Sequence, residues 1–198
     1  VTRPPFEPVA ERDLQVMAAQ LGRPMRGVVG IAARCVCGNP TVVATAPRLE
    51  DGTPFPTFYY MTHPAATAAM SYLEAAQVMV ECNELLGADE SVAAGYAQAH
   101  ADYLADRSQF GDVPEIAGVS AGGMPSRVKC LHAVAAQSLA AGPGANPIGD
   151  LALERSSWSP DVCVCRDYGL SKYVGAEGFD EYGARGDDDF DTAGGAST

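Results

Sequence analysis

Basic residues are few in this chain: 13 lysines and arginines stand against 25 acidic residues, and there are only three histidines. A formal charge of -12 excludes a broad phosphate-backbone surface, which needs clustered cations, although a small local anion site stays open. No stretch approaches the roughly 18 consecutive apolar residues of a membrane-spanning helix. The opening VTRPPFEPVAERD has no apolar core of the export-signal kind, so the expected location is cytoplasmic. The phosphate-binding patterns GxxxxGK[ST] and GxGxxG are missing, as is the metalloprotease pattern HExxH. No Ser/His/Asp triad stands out, and three histidines are too few to assign a general base. Whether the chain is an enzyme is left open at this level.

Six cysteines are present, as Cys35/Cys37, Cys82, Cys130 and Cys163/Cys165. In a reducing compartment, close pairs favour metal binding or thiol chemistry over structural disulfides. Cys82 lies in the apolar helical run QVMVEC and reads as a small buried hydrophobe. His100, between alanines, reads as a surface or packing residue.

The order of elements turns the first pair into more than a motif. Residues 8–21 have helical periodicity, with Leu14, Met17, Ala18 and Leu21 on one stripe. GVVGIAARC, TVVATAPRL and FPTFYYMT then read as strands, separated by the turns CGNP and EDGTP. The expected product is a three-stranded antiparallel meander. Helices are predicted over 65–86, 89–107 and about 125–141, with Asp89 or Ser91 capping the second, Pro125 opening the third and Gly142 ending it. The fold class is therefore α+β: a small antiparallel sheet packed against three to four helices. Residues 1–171 are expected as one domain. Residues 172–198 are expected as a flexible tail, with seven acidic residues against Lys172 and Arg185.

In a meander the first turn and the far end of the third strand share one sheet end. Cys35 and Cys37 occupy that turn, and His63 follows the third strand, so one rim gathers two thiols and an imidazole. Cys130, near a helix start, is the preferred fourth ligand. On a regular helix His132 would point away from Cys130, leaving it as an alternative ligand or a supporting partner. Cys163 and Cys165 complete the same site, form a second one, or act as a redox pair. Thiolate and imidazole donors suit zinc, and three or four cysteines equally suit a [4Fe–4S] cluster.

The Gly-rich AGGMPSRVK is expected to enter a helix with Arg127 and Lys129 in the first turn. With Arg48, and with Arg34 flanking the sheet, they would hold a small phosphate or carboxylate. PRLEDGTPFPT, with Glu50 and Asp51, reads as a polar hairpin turn.

The run from Leu21 through Cys37, then PRLEDGTPFPTFYYMTHP and GGMPSRVKCLHAVAA…GPGANPIGD, resembles an actinobacterial family, domain of unknown function 501, over about residues 10–155. The matching positions include Arg34, Cys35, Cys37, Arg48, Arg127, Lys129, Cys130 and His132. The resemblance implies Cys more often than His at position 63, one ligand type exchanged for another. It brings no activity. It implies gene neighbours, a septum-formation initiator and an exopolyphosphatase-like protein, that point to cell division or polyphosphate metabolism. Three functions follow as expectations: a metal- or iron–sulfur-binding protein, an enzyme on a small anionic substrate, or an adaptor whose acidic tail meets a basic protein partner.

Overall fold

A computed structural model describes residues 3–174. Its centre is the meander expected from the strand pattern, with β1 (Val28–Arg34), β2 (Pro40–Thr45) and β3 (Tyr59–Met61) antiparallel in the order β1-β2-β3. All six residues of β2 are buried, because both sheet faces are covered. Val42 and Ala44 point into the main core, whereas Val43 meets Ile31 and Met17 on the opposite face, under α1 (Glu11–Leu21). The period-two alternation of a strand sorts these side chains. On α1 the buried residues are Asp13, Val16 and Met17, while Leu14 is exposed, so the buried stripe is rotated from the one predicted.

The remaining α-helices build the layer on the other face: α2 (Pro64–Ala75), α3 (Val78–Ala88), α4 (Glu90–Ser108), α5 (Leu131–Ala141) and α6 (Pro147–Arg155). The fold is α+β, a three-stranded sheet with six α-helices among the described residues. The helix predicted over 65–86 is broken at Gln77, which adopts a left-handed conformation (φ 65°). That turn lets Met70 and Leu73 of α2 and Val78 and Cys82 of α3 enter one core, which a straight helix would not achieve. Asp89 caps α4 as expected, its Oδ1 accepting from the amides of Ser91 (2.8 Å) and Val92 (3.2 Å).

The third predicted helix starts later than expected, at Leu131 rather than Pro125. Pro125 follows a cis peptide bond and lies in a turn. The side chain of Asn83 then holds Val128 like a neighbouring strand, donating to its carbonyl (3.1 Å) and accepting from its amide (2.9 Å). Arg127 and Lys129 therefore lie outside the helix, their amides bonded back to the carbonyls of Gly123 (3.2 Å) and Gly122 (2.6 Å). Helix α6 was not predicted, although NPIGD carries its signature: Asn146 caps the amides of Ile148 (3.1 Å) and Gly149 (3.0 Å), and Pro147 opens the first turn.

Beyond α6 the chain returns to the sheet rim through two 3-10 turns, Cys165–Tyr168 and Ser171–Tyr173. Most of the predicted acidic tail, residues 175–198, lies outside the described residues. Among those described, no helix is long and apolar enough to cross a membrane.

Candidate metal centre

The pairing Arg34↔Pro40 closes the β1–β2 hairpin and leaves 35–39 as its loop. Gly38 takes φ +84°, a region that L side chains avoid, and donates its amide to the Cys35 carbonyl (2.8 Å). This tight turn aims both cysteines inward, Cys35 buried and Cys37 half-buried, while Val36 between them is 60% exposed. Arg34 braces the loop from outside. Its guanidinium donates to the Gly38 carbonyl (2.7 Å), to both oxygens of Asp13 (2.7 and 3.0 Å) and to both oxygens of Glu7 (2.8 and 2.9 Å). Arg34 is committed to these carboxylates, not to a free anion site.

The other wall comes from the far end of the described chain. Val36 donates its amide to the Pro160 carbonyl (3.3 Å), and Leu170 donates to the Cys165 carbonyl (3.0 Å). These contacts fold the segment so that the sulfurs of Cys35, Cys37, Cys163 and Cys165 all lie within 4.8 Å of one another. Cys37 Sγ is 3.5 Å from Cys165 Sγ. Of the three roles open to the second CxC pair, its sulfurs join the first pair.

His63 reaches this rim after β3, as the strand count anticipates. It meets the cluster at Cys165, with Nε2 3.2 Å from Sγ. Burial pushes its pKa down, against the pull of Cys37, so it favours the neutral ring. Among the described residues its Nδ1 is buried without a hydrogen-bond partner, as are Thr41 Oγ1, Asn39 Nδ2 and Trp158 Nε1. Trp158 packs against the His63 ring at a centroid distance of 5.4 Å. Asn39 gives its carbonyl oxygen to Arg12 (2.9 Å), which leaves its amide nitrogen for the interior.

The four thiols differ in acidity. Hydrogen bonds from Cys165 and then Cys35 push the Cys37 thiol down to about 2. Cys165 is driven up by its hydrogen bonds with Cys35 and Cys37 and by burial, and burial also raises Cys163. For Cys35 the bond with Cys165 pulls downward, but Cys37 and burial outweigh it and push the thiol up to about 12.

Cys130, the preferred fourth ligand on sequence grounds, is not in this group. It sits with His132 and Glu74, whose donor atoms form a second set within 4.8 Å. Cys130 is the residue preceding α5 and has an extended backbone (φ -154°, ψ 117°), so the angular separation of a regular helix does not apply. Its Sγ lies 3.8 Å from His132 Nδ1, which in turn is 3.1 Å from Glu74 Oε1. Cys130 first, then Glu74, against the effect of burial, hold the His132 pKa up to about 9. Glu74 carried no sequence signal, since its partner amide at Leu131 is 57 positions away.

The predicted anion ligands do not converge around a helix start. Arg48 donates to both oxygens of Glu115 (2.7 and 2.8 Å) and to the Gly52 carbonyl (2.7 Å). Arg127 and Lys129 are exposed, and among the described residues neither side chain makes an ion pair. Cys82 is fully buried in the main core, and His100 packs against Ser120, Nδ1 to Oγ 2.8 Å. Asp51 closes the polar hairpin turn by accepting from the Thr53 amide (3.0 Å).

Residues 31–154 match the family described as Protein of unknown function (DUF501). The chain belongs to this family. The DUF501 match takes in Cys35, Cys37, His63, Glu74, Cys130 and His132, and it ends before Cys163 and Cys165. No curated protein and no solved structure gives a match.

Proposed function

We propose that this DUF501 chain is a cytoplasmic metal-binding protein whose centre at Cys35, Cys37, Cys163 and Cys165 holds one tetrahedral ion, zinc in preference to an iron–sulfur cluster. The observation that carries the reading is the mutual spacing of the four sulfurs, all within 4.8 Å. Four thiolates at about 2.3 Å from one tetrahedral ion stand about 3.8 Å apart. A [4Fe–4S] cube places each thiolate on a different iron and spreads the sulfurs much wider.

The surroundings fit a thiolate-rich centre. A divalent ion with four thiolates carries net negative charge, which N–H donors stabilise. His63, Asn39 and Trp158 bring such groups to this rim, and in the metal-bound form His63 Nε2–H would donate to the Cys165 sulfur. The role that follows is structural. Around the cysteines the apolar cluster consists of Leu170 with Tyr173 and Val174, and from the same segment Trp158 and Val164 reach the main core, a small burial with which to hold residues 157–174.

The test is metal analysis and visible spectroscopy of anaerobically purified full-length protein, compared with Cys35→Ser and Cys165→Ser. The expected result is colourless, zinc-containing protein that loses one equivalent of zinc in either variant. Iron with labile sulfide and a broad visible band would replace the single ion by a cluster. Metal content unaffected by both substitutions would end the reading.

A further inference from the structure

Glu74, Cys130 and His132 offer three different donor types to one point, away from the four-cysteine set. Their separations, 3.8 Å for S···N and 3.1 Å for N···O, bracket the spacing around one tetrahedral zinc-sized ion, about 3.6 Å and about 3.4 Å for ligand bonds of 2.0–2.3 Å. The histidine is oriented for the purpose. Its Nε2 lies 3.1 Å from the Thr67 carbonyl, which can only accept, so Nε2 carries the proton. Nδ1 faces Cys130 and Glu74 Oε1, and a bound metal would displace the proton that Nδ1 shares with that carboxylate while Nε2 keeps its bond to Thr67, the arrangement by which a backbone carbonyl fixes a ligating histidine.

The other two donors are also held. Glu74 Oε1 accepts from the Leu131 amide (2.7 Å), which pins the carboxylate beside the start of α5. Cys130 occupies the position just before that helix, and its side chain makes no capping hydrogen bond to the first turn.

Cys130 and His132 line a pocket of about 480 Å³ whose other walls include Pro56, Tyr59, Met61 and Gly122. We propose that Glu74, Cys130 and His132 form a second, three-ligand site for a zinc-type divalent ion, its fourth position facing this pocket and open to the anionic head of a small, largely apolar ligand. Three protein ligands with an accessible fourth position are the pattern of exchangeable rather than closed centres. The site is independent of the four-cysteine centre and stands or falls separately.

The experiment titrates metal-stripped full-length protein with Co²⁺, then adds azide as a probe of the fourth position. Wild type is expected to bind two equivalents, and azide is expected to shift the visible cobalt bands. Cys130→Ser keeps a good helix-capping residue, and Glu74→Gln keeps the acceptor for Leu131. Each is expected to lose one equivalent and the azide response, whereas Cys35→Ser loses one equivalent and keeps the response. Stoichiometry or an azide response that survives in both Cys130→Ser and Glu74→Gln would overturn the proposal. If those variants fail to fold, peptide mapping of alkylated wild type decides: Zn²⁺ must shield Cys130, and equal labelling with and without Zn²⁺ overturns it. A Cys35→Ser protein that loses no metal would instead count against the four-cysteine reading alone.

Discussion

Cys37 Sγ stands 3.5 Å from Cys165 Sγ although 128 positions separate them in the chain. The contact closes a loop that takes in β2, β3 and α2 to α6, with few apolar side chains around the cysteines on its C-terminal side. Closing so long a loop is entropically costly, and the reading assigns that work to the metal. Chelation should therefore release residues 157–174 while the sheet and α5 stay folded. Limited proteolysis and hydrogen exchange report this directly: new cuts and fast exchange are expected in that segment, with protection retained in β2. Uniform loss of protection would mean that the centre stabilises the whole domain, and unchanged protection would mean that it stabilises nothing.

The Arg34–Asp13 pair gives the fold an acid limit. Asp13 is buried, and the hydrogen bonds from Arg34 hold its carboxyl below the usual range despite burial. A group whose pKa is depressed on folding adds stability above its unfolded value, about 3.9, and loses it as pH falls through the lower folded value. Asp13→Asn should cost roughly 2 kcal/mol at neutral pH, the range for hydrogen bonds to charged groups. The difference from wild type should shrink as pH drops below about 4. Urea unfolding at several pH values measures it, and a gap that stays constant down to the acid limit contradicts the assignment.

The meander was legible because its cues are local: valine- and tyrosine-rich runs, and turns marked by CGNP and EDGTP. It is also what brought His63 to the rim of Cys35 and Cys37. The partner of that pair was legible only as one of three roles for Cys163 and Cys165, since they reach it only after the chain has packed six helices. Cys130 was placed in the wrong group for the same reason. It does stand at a helix start, but that start is at Leu131, and Glu74, on a helix that the sequence does announce, meets it from 57 positions away. The break at Gln77 was hidden as well, because no glycine or proline marks it and the core imposes the left-handed turn.

Arg107 serves the fold as a cation buried among carbonyls. Its guanidinium donates to the backbone oxygens of Pro56 (2.9 Å), Val119 (2.6 Å) and Ile116 (2.9 Å), tying α4 to two loops. Burial pushes its pKa down, so the charge is held by these dipoles. Arg107→Ala takes the side-chain donor from the Val119 carbonyl and one of two donors from the carbonyls of Pro56 and Ile116, and should cost roughly 2 kcal/mol. Arg107→Lys should recover little, because one ammonium does not reproduce the planar fork. Full recovery by lysine in chemical denaturation would show that charge alone matters there.

The crossing of α5 and α6 turns on Gly149. A β-carbon there would stand 2.2 Å from the Val134 carbonyl oxygen and 2.4 Å from Ser138 Oγ, so the two helices approach through the missing side chain. By helix propensity alone Gly149→Ala would gain up to about 1 kcal/mol. The overlap reverses the sign, and a loss of about 3 kcal/mol, the upper range for overpacking, is expected. Gly144→Ala is the control: its added β-carbon meets nothing within 4 Å, but its φ of +86° is strained for alanine, a cost of roughly 1 kcal/mol. Gly149→Ala should therefore be the more damaging in urea unfolding and should loosen the Asn146 cap, whose amide also donates to Gln137 Oε1 (2.9 Å). The reverse order would mean that α6 shifts away from α5 at little cost and that backbone strain dominates this corner.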